Sequence, residues 1–102
     1  MSQADSVVPP LGSKHYYDAV TAGDSTVHDY YRLFFAPGLG HCSGGPGPYP
    51  NATFESLRVW VEDGVAPETI EATTVGVTPA ITRELCPYPK QQVYNGSEYT
   101  CE

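Results

Sequence analysis

Basic residues are scarce. Five Lys and Arg face twelve Asp and Glu, leaving a net charge of -7. That balance argues against a nucleic-acid partner, because basic patches supply most of the affinity for phosphate backbones. It argues equally against an anionic membrane surface. No apolar run approaches the ~18 residues that a transmembrane helix needs. The first twenty residues lack a basic stretch leading into an apolar core, so no secretory leader is visible in them. Gly-x-Ser-x-Gly, the turn that presents a nucleophilic serine, does not occur. Ser43 has no strand-turn-helix frame around it. Internal repeats and low-complexity tracts are also missing.

Ten Gly and ten Pro in 102 residues make a loop-heavy chain, the size of one small domain or a piece of a larger one. Eight Tyr, three Phe and one Trp are too many aromatics for a disordered one. There are three cysteines, Cys42, Cys86 and Cys101. Two sequons, Asn51-Ala52-Thr53 and Asn95-Gly96-Ser97, stand in Pro- or Gly-flanked polar stretches. Together these features indicate a secreted, oxidised protein with Asn51 and Asn95 as glycan acceptors. Cys86 and Cys101 can close a C-terminal loop, which contributes about 3 kcal/mol in the chain-entropy model. Cys42 is then left over, either paired elsewhere or a free thiol.

The paired prolines Pro9 and Pro10 argue against helix at the start, and Ser13 is the expected N-cap of a helix ending near Gly23. Tyr16, Tyr17 and Val20 fall on one face of it. A strand is expected over about Asp29 to Ala36. Its consecutive apolar residues Leu33, Phe34 and Phe35 fit burial on both faces, as in a parallel sheet covered by helices. Next comes Ala36-Pro37-Gly38-Leu39-Gly40-His41-Cys42-Ser43-Gly44-Gly45-Pro46-Gly47-Pro48, a glycine-rich loop carrying a histidine. A second helix is predicted from Thr53 to Asp63 with Gly64 as its stop. Phe54, Leu57, Trp60 and Val61 would line its buried face, and Glu55, Arg58 and Glu62 the other. Thr69 to Thr73 alternates like a half-exposed strand that Thr78 to Glu84 would pair with. No periodicity is visible beyond Cys86.

One buried strand does not make a sheet, since its backbone groups need neighbours on both sides. The expected fold class is therefore α/β, an incomplete sheet cut from a larger protein whose missing part precedes this chain. Asp5 and His41 are separated by one helix and one strand. Successive parallel strands end on the same sheet edge, so the Asp5 loop and the His41 loop are expected to meet there. Acid before histidine is the order in α/β-hydrolases, where a serine precedes both. The Asp accepts the imidazole Nδ1 hydrogen, and the His takes and returns the serine proton. Asp5 and His41 are thus candidate acid and base, and the nucleophile is missing.

Several blocks resemble the tannase/feruloyl esterase family. Ala4-Asp5 with Val8-Pro9-Pro10 and Tyr16-Tyr17 is similar to the family's acidic segment. Tyr30-Tyr31-Arg32-Leu33-Phe34-Phe35-Ala36-Pro37-Gly38-Leu39-Gly40-His41-Cys42 is similar to its histidine segment. Trp60-Val61-Glu62-Asp63-Gly64-Val65-Ala66-Pro67 and Arg83-Glu84-Leu85-Cys86-Pro87-Tyr88-Pro89 resemble its C-terminal signatures. The resemblance implies the C-terminal fragment of an α/β-hydrolase fold, with Asp5 as triad acid and His41 as base. It also implies that Cys42 pairs with a cysteine beside the absent nucleophilic serine. It implies hydrolysis of phenolic esters, feruloyl or galloyl, by the whole enzyme, and inactivity of this chain without the missing N-terminal part of its fold. The family's structural calcium site lies in a lid absent from these residues, so no cofactor is expected here.

Two other readings compete. The chain would instead be an inactive, disulfide-stapled secreted module or remnant that binds a glycan or protein through its aromatics. Stable folding of the isolated chain, with Cys42 free, would favour that. A metal centre would draw on His15, His28, His41 and Cys42. Only His41 and Cys42 are close in sequence, and adjacent residues rarely chelate one ion together, so no metal site is expected.

Overall fold

A computed structural model describes residues 1–102. Helix α1 spans Pro10–Gly23, with Pro9 as its N-cap. It starts ahead of the predicted Ser13 cap because proline is at home in the first turn. The fixed φ suits the helix there, and the missing N–H would have had no partner. Tyr17 is buried on α1, whereas Tyr16 is 64% exposed. Adjacent helical positions diverge by about 100°, so one contact stripe does not cover both.

The expected strand over 29–36 is only partly realised. Val27–Asp29 forms a 3-10 turn, and Phe34 and Ala36 make single-residue bridges rather than a ladder. Ala36 bridges Ser2 in parallel, and Phe34 bridges Pro87 antiparallel. The N-terminal residues therefore supply a short parallel neighbour that the sequence did not suggest. The Ala36 amide donates to the Met1 carbonyl at 2.9 Å, and the Gln3 amide to the Ala36 carbonyl at 3.0 Å. Leu33 and Ala36 are buried.

Strands β1 (Tyr49–Pro50), β2 (Ile70–Thr73) and β3 (Thr82–Leu85) form an antiparallel sheet in that order. Ile70 pairs with Leu85, and Tyr49 with Thr73. Ile70 and Ala72 are buried while Glu71 is exposed, the alternation of a sheet with one covered face. Beyond Cys86 the chain has more order than its sequence suggests. Strands β4 (Gln92–Tyr94) and β5 (Tyr99–Cys101) form a hairpin, tied back by a Cys86–Cys101 disulfide with Cα atoms 5.6 Å apart.

Helix α2 spans Thr53–Asp63 and stops at Gly64, whose backbone is left-handed. Arg58 bonds Glu55 and Glu62 along one face, matching the charged stripe read from the sequence. The opposite face departs from expectation. Phe54, Leu57 and Val61 are 78%, 54% and 76% exposed, because no element of the chain lies over them. The helix is held instead by Arg32. Its guanidinium lies 5.4 Å from the Trp60 ring centre and donates to the Pro67 carbonyl at 2.7 Å.

Two small cores result. Tyr17, Val27 and Leu33 cluster beneath α1, with Phe35 and Tyr88 packed against them. Ala36, Leu39, Ile70, Ala72 and Leu85 cluster between the root of the histidine loop and the β2–β3 face. Only 11 of 102 residues are buried. The radius of gyration, 14.2 Å, also exceeds the roughly 13 Å of a closed domain of this length. The chain is a layer with open faces.

Candidate active site

Asp5 is followed by a turn that grips its carboxylate. The amides of Val7 and Val8 both donate to Oδ1 at 2.8 Å. This is the turn a short acidic side chain favours, accepting from backbone two and three residues on. With Oδ1 engaged, Oδ2 faces His41 Nδ1 at 2.9 Å, across 36 residues of sequence. The Asp5 side chain is 5% exposed and the imidazole 43%. The carboxyl is pulled well below its ordinary value of 3.8, to about 2, first by the Val8 amide and then by the hydrogen bond to His41. Asp5 is thus a fixed anion. It holds the ring by Nδ1, so Nε2 is the nitrogen not engaged by Asp5.

The loop beneath the ring closes on itself. The Gly40 amide donates to the Gly44 carbonyl at 2.8 Å, and the Gly47 amide to the Gly38 carbonyl at 3.0 Å. A side chain at Gly45 would collide with the Gly38 carbonyl, and one at Gly47 with the Pro37 carbonyl. The glycines are therefore a condition of closure. Cys42 takes φ 60, a left-handed conformation costly for a residue with a Cβ. Its thiol is free and exposed. Ala36 and Leu39, both buried, fasten the loop's root to the β2–β3 core.

Acid and base share this root. The Ala4 amide donates to the Leu39 carbonyl at 3.0 Å, beside the Gln3–Ala36 bond. The strand-like contact that carries Asp5 is therefore bonded directly to the loop that carries His41. Sequence reasoning singled out the two side chains and missed Val7, Val8 and Leu39. An Asp followed by Ser6-Val7-Val8 and then Pro-Pro was the available signal for the turn. Nothing marked Leu39 apart from the other apolar residues.

The remaining candidates lie elsewhere. Asn51 is exposed between β1 and α2, and Asn95 is exposed at the β4–β5 turn. Cys86 and Cys101 are bonded to each other, away from Cys42. His15 is exposed on α1 and His28 half-buried in the 3-10 turn. No three His, Cys, Asp or Glu side chains gather in metal-binding geometry. No helix is long and apolar enough to cross a membrane.

The sequence model of the family described as "Tannase and feruloyl esterase" matches residues 1–102. The chain belongs to that family. A probable feruloyl esterase of Arthroderma benhamiae is 45% identical over 103 residues, which is 93% of this chain. A tannase of Aspergillus oryzae is 33% identical over 114 residues, 97% of this chain. The chain spans 19% of the length of each of these two relatives. Among solved structures, a tannin acyl hydrolase from Aspergillus niger superposes with a TM-score of 0.85 at 28% identity, covering 99% of this chain and 21% of that one. The antiparallel sheet and helices of this tannase-family chain thus form an α/β fragment of the relatives' fold.

Proposed function

We propose that this chain supplies the acid–base half of a serine-type carboxylic ester hydrolase. Asp5 is the triad acid and His41 the base. The observation that carries the reading is the 2.9 Å contact of Asp5 Oδ2 with His41 Nδ1, with Oδ1 already saturated by two amides. Held this way, the imidazole keeps one tautomer, with its proton on Nδ1. Nε2 accepts the proton of a serine hydroxyl as the oxygen attacks an ester carbonyl. The anionic Asp5 stabilises the imidazolium that forms, and the same Nε2 proton then passes to the departing alkoxide. Water repeats the cycle on the acyl-enzyme.

The serine comes from outside these 102 residues, since none of those present has a nucleophile's frame. The chain alone is therefore inactive. The names of the relatives support phenolic esters, feruloyl or galloyl, as the substrate class. Cys42 stands next to the base, exposed and free, where a disulfide to a cysteine beside the nucleophile would bind the two loops together. The chain itself holds no cofactor in this scheme. The Cys86–Cys101 disulfide supports a secreted protein, because such bonds persist in oxidising compartments.

The test is a graft in which this chain replaces the segment it matches in the Arthroderma benhamiae relative. The graft is expected to hydrolyse methyl ferulate or methyl gallate, and to stop when His41→Ala is introduced. A folded graft without ester turnover, or one that tolerates His41→Ala, sinks the proposal.

A further inference from the structure

We propose that Asn95, in preference to Asn51, is the N-glycan acceptor of this chain. The inference rests on the secreted reading above. Asn95 heads the turn between β4 and β5. Its Oδ1 accepts from the Ser97 amide at 2.9 Å, the Ser97 hydroxyl at 3.0 Å and the Glu98 amide at 2.9 Å. The Asn95 amide also donates to the Glu98 carbonyl at 3.0 Å, which locks the tip. Every polar contact of the side chain is made through oxygen, so Nδ2 stays unengaged at an exposed position.

That arrangement suits the chemistry. A carboxamide nitrogen is a poor nucleophile because its lone pair is shared with the carbonyl. Donors aimed at the oxygen stabilise the negative charge that collects there as Nδ2 gives up a proton, as an oxyanion hole does. Nδ2 then attacks C1 of a polyprenyl-pyrophosphate-linked oligosaccharide. The Nδ2–C1 bond forms and the C1–O bond to phosphate breaks. The lipid pyrophosphate leaves with the electron pair, and the Nδ2 proton passes to a base of the transferase.

Asn51 lacks this preparation. Thr53 is already the first residue of α2, and no hydrogen bond joins its hydroxyl to the Asn51 amide. The Asn95 turn is also anchored close by, since Cys101 of β5 is bonded to Cys86 and Tyr94 packs on Tyr99 at 4.9 Å between ring centres.

The chain is expressed in yeast behind a heterologous secretion leader, and both medium and lysate are collected. Peptide N-glycosidase in ¹⁸O-water then marks each modified asparagine as labelled Asp for peptide mass spectrometry. Higher occupancy at Asn95 than at Asn51 is expected, with loss of the Asn95 label alone in Ser97→Ala. Equal or lower occupancy at Asn95, or a bare Asn95, overturns the proposal. The leader itself delivers the chain to the secretory lumen, so a bare Asn95 counts against the acceptor and not against natural secretion.

Discussion

The histidine loop and helix α2 are built on opposite terms. Around His41 every device is internal. Two amides hold the acid, the acid holds the ring, and glycines close the loop onto its own carbonyls. Leu39 at its root is 4% exposed. Helix α2 has good local credentials, a left-handed glycine stop and a charged stripe, yet its apolar face is bare. Local order and tertiary cover are thus separable in this molecule. The site's geometry depends on residues that the chain itself satisfies, whereas α2 owes its place chiefly to Arg32.

The largest effect should come from the dyad. In the graft, Asp5→Asn leaves the ring in place with the wrong partner and should cost about 10⁴-fold in kcat. His41→Ala should cost at least as much. Initial rates on one ester across both variants would measure this. If Asp5→Asn keeps near-full activity, the self-contained picture of the loop is broken.

Leu39→Ala comes next. Its side chain fills the small core under the loop, so its loss should destabilise the graft by about 2–5 kcal/mol in urea titration. Removing the tail's staple with Cys101→Ser should cost about 2–4 kcal/mol in the same measurement. At the far end of the scale is Leu57→Ser on the bare face of α2. In the 102-residue chain this change should stay within about 0.5 kcal/mol. A much larger loss there would show that the face is covered in solution and would erase the contrast.

The pH dependence sharpens the same point. The Asp5 carboxyl is lowered from 3.8 to about 2 in the folded state. A lowered acid stabilises the fold in its ionised form. Its contribution is therefore complete above pH 3.8 and fades as pH falls through about 2. The stability difference between the unmodified chain and Asp5→Asn should be flat at higher pH and shrink across that window. Denaturation midpoints at a series of acidic pH values would trace it.

Much of this was legible because it is local or topological. One helix and one extended segment between Asp5 and His41 were enough to predict that the two would meet at one edge. Thr53, Asp63 and Gly64 marked α2 without ambiguity. The spacing of Phe54, Leu57 and Val61 reports a face, however, and is silent on what lies over it. The β4–β5 hairpin escaped notice because three-residue strands show no period, and its Asn95-Gly96 turn reads equally well as tail. The segment before Ala36 looked like a full strand because apolar runs do not record how many neighbours pair with them. The start of α1 was misplaced because proline breaks helices inside but opens them at the first turn.

The two backbone hydrogen bonds that tie Gln3 to Ala36 and Ala4 to Leu39 give Asp5 and His41 one fate. Neither loop can swing away while those bonds hold. Opening them frees Asp5 and His41 together, so the dyad behaves as a single cooperative unit with one opening equilibrium. The Ala4 amide then becomes a gauge for it: the protection of that proton against exchange with deuterated solvent reports the free energy of the opening that parts the pair.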